Sequence, residues 1–182
     1  MKELALHILD IMENSIRSHA SKISVSLIED TKANLITLVI RDNGHGMDQN
    51  TLTRVRDPFY TGQKKRVGIG IPLLEQLTSL CRGNLTITSQ PGQGTCVKAT
   101  FQRDHIDLPP IGNIPETLMV LYASHPDIEI EYEHIVNDGS WSFNTKKMSE
   151  ELGIRQSQDI FPVLQGIKEW IQYHESQIQK GA

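Results

Sequence analysis

LVIRDNGHGMDQN, residues 38–50, ends an apolar, β-branched run in Asp42 and then sets glycines at 44 and 46 on either side of His45. A simple hairpin turn would need only one glycine, so two closely spaced glycines after a strand point to backbone contortion or to a group held close against the main chain. Asp42 is therefore a strand-end carboxylate beside a permissive loop. The elements on either side decide what that pairing is for.

Working outward, ITLVI and the preceding KISVSLIED (residues 22–30) read as two strands joined by the polar loop DTKAN. Before them, residues 2–19 carry Ala5, Leu9, Met12 and Ile16 at helical spacing, while Glu3, His7, Asp10, Asn14 and Ser18 recur at steps of three and four. That polar stripe has apolar flanks in Leu4, Ile8 and Ile11, unlike an ordinary solvated helix face. After the opening stretch come a short helix over DQNTLTRV, a long glycine-rich basic loop over residues 56–70, and a helix over IPLLEQLTSLC with Pro72 near its start and Gly83 after its end. NLTITSQ and CVKATFQRD read as strands around the turn PGQGT.

The pattern to residue 104 is α+β: a two-layer sandwich with helices on one face of a mixed, mostly antiparallel sheet. DHIDLPPIGN interrupts it, so residues 105–112 read as a linker between a unit at 1–104 and a small α/β extension at 113–182. In the extension a helix over IPETLMVLYASH, a hairpin from DIEIEYEHIV to WSFNT and a terminal helix FPVLQGIKEWIQYHESQ are expected, with Trp141, Trp170 and Tyr173 as packing residues.

Among 182 residues, 38% are hydrophobic and 22% charged, the balance of a folded globular chain. The net charge of −4 gives no general attraction to nucleic acid, and the only basic cluster is Lys64, Lys65 and Arg66. No run of about 20 apolar residues suggests a bilayer span. Two cysteines without metal-ligand spacing fit a cytoplasmic location.

The ordered set of motifs resembles the GHKL ATPase superfamily, which includes gyrase-type topoisomerases, ninety-kilodalton heat-shock chaperones, histidine kinases and mismatch-repair ATPases. ENSIRSHA matches the N box, DNGHG the first glycine box, DPFYT the phenylalanine box of histidine kinases, GIGI the second glycine box and GQGT the third. The resemblance covers about residues 3–103 and implies a site for ATP and Mg²⁺. Asp42 would accept a hydrogen bond from the adenine amino group, with Gly44 and Gly46 clearing space for base and ribose. Lys64, Lys65 and Arg66, with backbone N–H groups freed by Gly68 and Gly70, would meet the phosphates. Asn14 would give Mg²⁺ its amide oxygen, and Thr95 would support Asp42 through its hydroxyl and a water.

Asp10, one turn before Asn14, stands where ATP-hydrolysing members and anti-sigma-factor serine kinases usually carry a general-base glutamate. It could activate a water or a hydroxyl, or hold a Mg²⁺-bound water. Glu13 lies about 100° round the helix from Asn14 and is the poorer candidate. His7 reads as a supporting or surface residue and not a phosphoacceptor, and His45 as a spacer. Phe59 and Tyr60 could cover the nucleotide or anchor the loop.

With the N box so near the first residue, a phosphoacceptor helical hairpin ahead of it is not expected. The resemblance then implies a stand-alone histidine-kinase-like domain working on or with an unidentified protein, and neither nucleic acid nor membrane. A serine kinase acting on an antagonist protein, or an ATP-gated binding module without turnover, are the alternatives. The segments HIDLPPIGNIPETL and HPDIEI are also similar to stand-alone ATPase proteins encoded near iron-only hydrogenase and redox-enzyme genes, which implies a redox-enzyme-associated partner.

Overall fold

Alternation along the strands places most of the large apolar strand residues on one side of a single sheet, where the helices cover them, and leaves Ile28, Val39 and Ile135 on the other. The computed structural model describes residues 2–57, 70–153 and 164–180. Its elements run α1 (Leu4–Arg17), β1 (Lys22–Asp30), β2 (Leu35–Asp42), α2 (Gln49–Arg54), α3 (Gly70–Leu80), β3 (Asn84–Gln90), β4 (Gly94–Gln102), α4 (Ile114–Ser124), β5 (Glu129–Val136), β6 (Gly139–Asn144), α5 (Thr145–Leu152) and α6 (Leu164–Lys180). The six strands lie in the order β3-β4-β2-β1-β5-β6. Four neighbouring pairs are antiparallel and one, β1 with β5, is parallel, so the sheet is mixed and mostly antiparallel as the sequence pattern predicts.

Register explains the one-sided core. Val25 faces Ile40 across the β1–β2 pair, Ile40 faces Val97 on β4, and Val97 faces Ile87 on β3. These residues, with Leu27, Leu38, Ala99 and Phe101, are buried under α1, α3 and α4. The intervening residues, such as Ser24, Ser26, Thr86 and Lys98, occupy the opposite face, where small and polar side chains meet solvent without cost. Helix α1 contributes Leu4, Ala5, Ile8, Ile11 and Met12 to the core and is shorter at both ends than the predicted 2–19. Its first N–H groups are satisfied from the 105–112 segment: Leu4 N donates to the Pro110 carbonyl at 3.0 Å and Ala5 N to that of Ile111 at 2.8 Å.

Beyond residue 112 the chain returns to the same sheet. β5 lies parallel to β1 from Lys22↔Glu129 to Glu29↔Val136, and β6 forms the outer edge. α4 puts Ile114, Leu118, Met119, Leu121 and Tyr122 into the core shared with α1. The acidic and aromatic pattern of β5 divides by face: Tyr132 and His134 are buried, while Glu131 and Glu133 lie on the open side. Trp141 is half-buried and in ring contact with Trp170, whereas Trp170 and Tyr173 themselves remain 47% and 59% exposed. Helix α5 is absent from the predicted elements. Asn144 caps it by accepting from Lys147 N, and Gly153 ends it at φ +68.

Candidate nucleotide-binding site

Helix α1, the end of β2 and the turn between β3 and β4 meet around Asp42. Its carboxylate accepts three hydrogen bonds: from the Ser15 hydroxyl at 2.8 Å, from Gly44 N at 2.9 Å and from Thr95 N at 3.2 Å. Charge-assisted bonds of this kind fix both the position and the orientation of the acid. Asn43 ties the same strand end to β1, its side-chain oxygen accepting from Ser21 N and Lys22 N at 2.9 Å each. Asp42 is thus presented at a rigid strand end and not on a mobile turn.

Two further features of this cluster come from the chain itself. The Thr95 hydroxyl lies 3.0 Å from the Ser89 hydroxyl, and it is the Thr95 main-chain N–H that bonds Asp42. The glycines are required by the protein's own packing. A Cβ on Gly44 would fall 2.0 Å from Ser18 Oγ, and one on Gly46, where φ is +66, would fall 2.0 Å from the Gln90 carbonyl oxygen. Gly94 of the third box has φ +82 and would place a Cβ 1.9 Å from the Asp42 carbonyl oxygen. These glycines let the β2 end, the α1 end and the β3–β4 turn close on one another, which is how the Asp42 pocket is assembled.

Asp10 and Asn14 lie half-buried on one face of α1, four residues apart. Neither side chain makes a hydrogen bond among the described residues, so both present polar groups ready for a ligand. Gly70, the first residue of α3, sits against Asp10: a Cβ there would be 3.1 Å from the Asp10 Cβ. Burial, followed by the charge of Glu13, raises the pKa of Asp10 above the ordinary carboxylate value. His7, one turn earlier, is buried, and burial depresses its pKa to about 4, so at neutral pH it is uncharged. Lys64, Lys65, Arg66, Gly68, Phe59 and Tyr60 lie outside the described residues. The structure therefore brings together Asp42, Gly44 and Thr95, and separately Asp10 with Gly70, with Asn14 on the helix that serves both groups.

Ser15 was not among the predicted site residues. Its signal is a small polar residue on the apolar stripe formed by Ile8, Ile11 and Met12, the place where a buried hydroxyl needs a partner.

An asparagine-bearing helix, a clamped carboxylate at the end of β2 and glycine turns beneath one helical layer are the arrangement of a GHKL-type nucleotide-binding domain. The chain belongs to the histidine kinase-, DNA gyrase B- and HSP90-like ATPase family, whose family model matches residues 2–105. Among curated relatives, the sensor protein kinase FleS of Pseudomonas aeruginosa is 31% identical over 109 residues, 60% of this chain and 27% of that protein. The sensor histidine kinase YxdK of Bacillus subtilis is 31% identical over 110 residues, 55% of this chain and 33% of that protein. The sensor histidine kinase YvrG of Bacillus subtilis is 24% identical over 99 residues, 52% and 17% of the two chains. The match thus spans a third or less of these relatives. The crystal structure of the N-terminal domain of a DNA repair protein shares the fold with a TM-score of 0.52 at 16% identity, covering 79% of this chain and 52% of that one.

Proposed function

We propose that this protein binds ATP with Mg²⁺ and acts as a histidine-kinase-like signalling kinase or ATPase on or with a partner protein in the cytoplasm. The observation that carries this reading is the Asp42 carboxylate, held by Ser15, Gly44 and Thr95, with Oδ2 accepting a single bond and so keeping acceptor capacity for the amino group of a purine. The matched relatives named as sensor kinases support the kinase side of the proposal. Among the described residues no helix is long and apolar enough to cross a membrane.

The residues present fit the ligand. No group of three or more His, Cys, Asp or Glu side chains is placed to hold a metal among the described residues. A hard cation that keeps most of its ligands as water and phosphate needs little more than the Asn14 amide oxygen, which has no hydrogen-bond partner among the described residues. When bound, Mg²⁺ would offset phosphate charge. Asp10, whose raised pKa strengthens it as a base, takes the proton of the attacking water or acceptor hydroxyl as the oxygen bonds to the γ-phosphorus and ADP leaves. Lys64, Lys65, Arg66, Gly68 and Gly70 are proposed to meet the phosphates, with Gly68 and Gly70 supplying backbone N–H groups.

Calorimetric titration of ATP with and without Mg²⁺ tests the binding step. Saturable binding strengthened by Mg²⁺ is expected, and no heat of binding in either buffer defeats the reading. For the chemistry, Asp10→Asn is expected to keep ATP affinity within about threefold while lowering hydrolysis or transfer by about 10²- to 10⁴-fold. Unchanged turnover in that variant removes Asp10 from the base role, and the absence of turnover in the wild type with every partner tried leaves the binding-module reading.

A further inference from the structure

At the end of the sheet remote from Asp42, three ionisable side chains from distant parts of the chain are buried together. His134 on β5 is fully buried, Glu29 on β1 is 6% exposed and Glu175 on α6 is 8% exposed. The imidazole Nδ1 lies 2.7 Å from Glu175 Oε2, and Nε2 lies 3.1 Å from Glu29 Oε1. Both ring nitrogens therefore face carboxylate oxygens. A neutral imidazole donates from only one nitrogen and would turn the lone pair of the other against an acceptor, so the geometry calls for the doubly protonated cation.

The remaining carboxylate oxygens are also engaged. Arg103 Nε, just past β4, donates to Glu29 Oε2 at 3.3 Å, and the Tyr132 hydroxyl donates to Glu175 Oε1 at 2.8 Å. With His134 protonated, two anions are balanced by two cations. Without that proton, one carboxylate charge is left uncompensated in a buried site, which is strongly unfavourable. On β6, Trp141 pairs in register with His134 and brings no charge.

We propose that Glu29, His134 and Glu175 form a protonation-dependent latch that holds α6 against the β5–β6 edge of the sheet. The latch lies at the far end of β1: Asp42 pairs with Ile23, and Glu29 is six residues further along that strand, about 20 Å away at the usual strand rise. Opening it frees α6 from Tyr132, Trp141 and Phe143 and leaves the clamped Asp42 in place. The surface uncovered is aromatic, and its exposure is controlled separately from the nucleotide end.

The pH dependence has a definite sign. The two carboxylates lift the His134 pKa from 6.5 to about 9 against the opposing effect of burial. The proton-linked stability is fully present below about pH 6.5 and is lost as pH rises through about 9, when the ring proton passes to solvent base. Tyr132 is held well above its ordinary value, chiefly by burial, and stays a hydroxyl donor throughout that range.

Imidazole nitrogen NMR on the full chain tests the latch directly. His134 is expected to keep both ring protons to about pH 8 and to titrate near pH 9, and Glu175→Gln to lower that midpoint by about one pH unit or more. Amide exchange in α6, corrected for base catalysis, should accelerate at least about tenfold relative to α1 between about pH 8 and about pH 10. In His134→Gln this relative acceleration should vanish. Titration of His134 near pH 6–7 overturns the proposal, as does α6 exchange that rises only in step with α1. Should His134→Gln fail to fold, the wild-type titration and Glu175→Gln still decide the matter.

Discussion

Asp42→Asn is expected to weaken ATP binding by about 2–3 kcal/mol, roughly 30- to 150-fold, while the fold survives. The variant is nearly isosteric, and its amide oxygen can continue to accept from Gly44 N and Thr95 N. The new NH₂ then faces Ser15, whose hydroxyl can rotate to accept and can donate instead to the Ile11 carbonyl, already 3.3 Å away. What is lost is the charged acceptor for the base. Loss of preference for ATP over GTP should accompany the fall in affinity, because only adenine carries the amino group that the carboxylate is positioned to read. Ser15→Ala should cost less, about 1 kcal/mol, since the two main-chain donors still orient the acid. Calorimetry on the three proteins checks the order, and wild-type affinity in Asp42→Asn would overturn the placement of the nucleotide.

Much of this site was legible because its chemistry lies in short, ordered stretches. Asp42 with its glycines, Asn14 one turn past Asp10, and GQGT can each be read locally, and the structure brings Asp42, Gly44 and Thr95 into one hydrogen-bonded group. What escaped depends on contacts between distant elements. A missing Cβ looks alike in sequence whatever lies beside it, and only the packed chain shows that Ser18 and Gln90 approach Gly44 and Gly46. Thr95 reaches Asp42 through its amide, because the strand register carries it there.

The extension was harder still. Glu29 lies 105 residues before His134 and Glu175 lies 41 after it, and glutamate is a type usually found on the surface. Parallel pairing of β5 with β1 leaves no local signature comparable to a hairpin turn, and the polar helix α5 has too few apolar residues to announce itself by periodicity.

That same pairing implies that residues 1–104 alone will not form a stable, monomeric domain. Removing the rest strips β1 of its β5 partner from Lys22 to Glu29, exposing a row of unpaired backbone groups in mid-sheet. It also takes Ile114, Leu118, Met119, Leu121 and Tyr122 out of the core beside α1, and removes the Pro110 and Ile111 carbonyls that receive the first N–H groups of that helix. At about 1.5–3 kcal/mol for each large apolar side chain, five such losses approach the whole stability of an ordinary domain, about 5–15 kcal/mol. Glu29 would in addition lose His134 while keeping Arg103. The expected result is a fragment that aggregates on size-exclusion chromatography and shows no cooperative thermal transition. Within the full chain, Leu118→Ala should cost about 2–5 kcal/mol, because the side chain is completely buried between α4 and its neighbours. A monomeric fragment with a sharp melting transition, together with a near-neutral Leu118→Ala, would show instead that residues 1–104 are self-sufficient and that the extension merely rests on them.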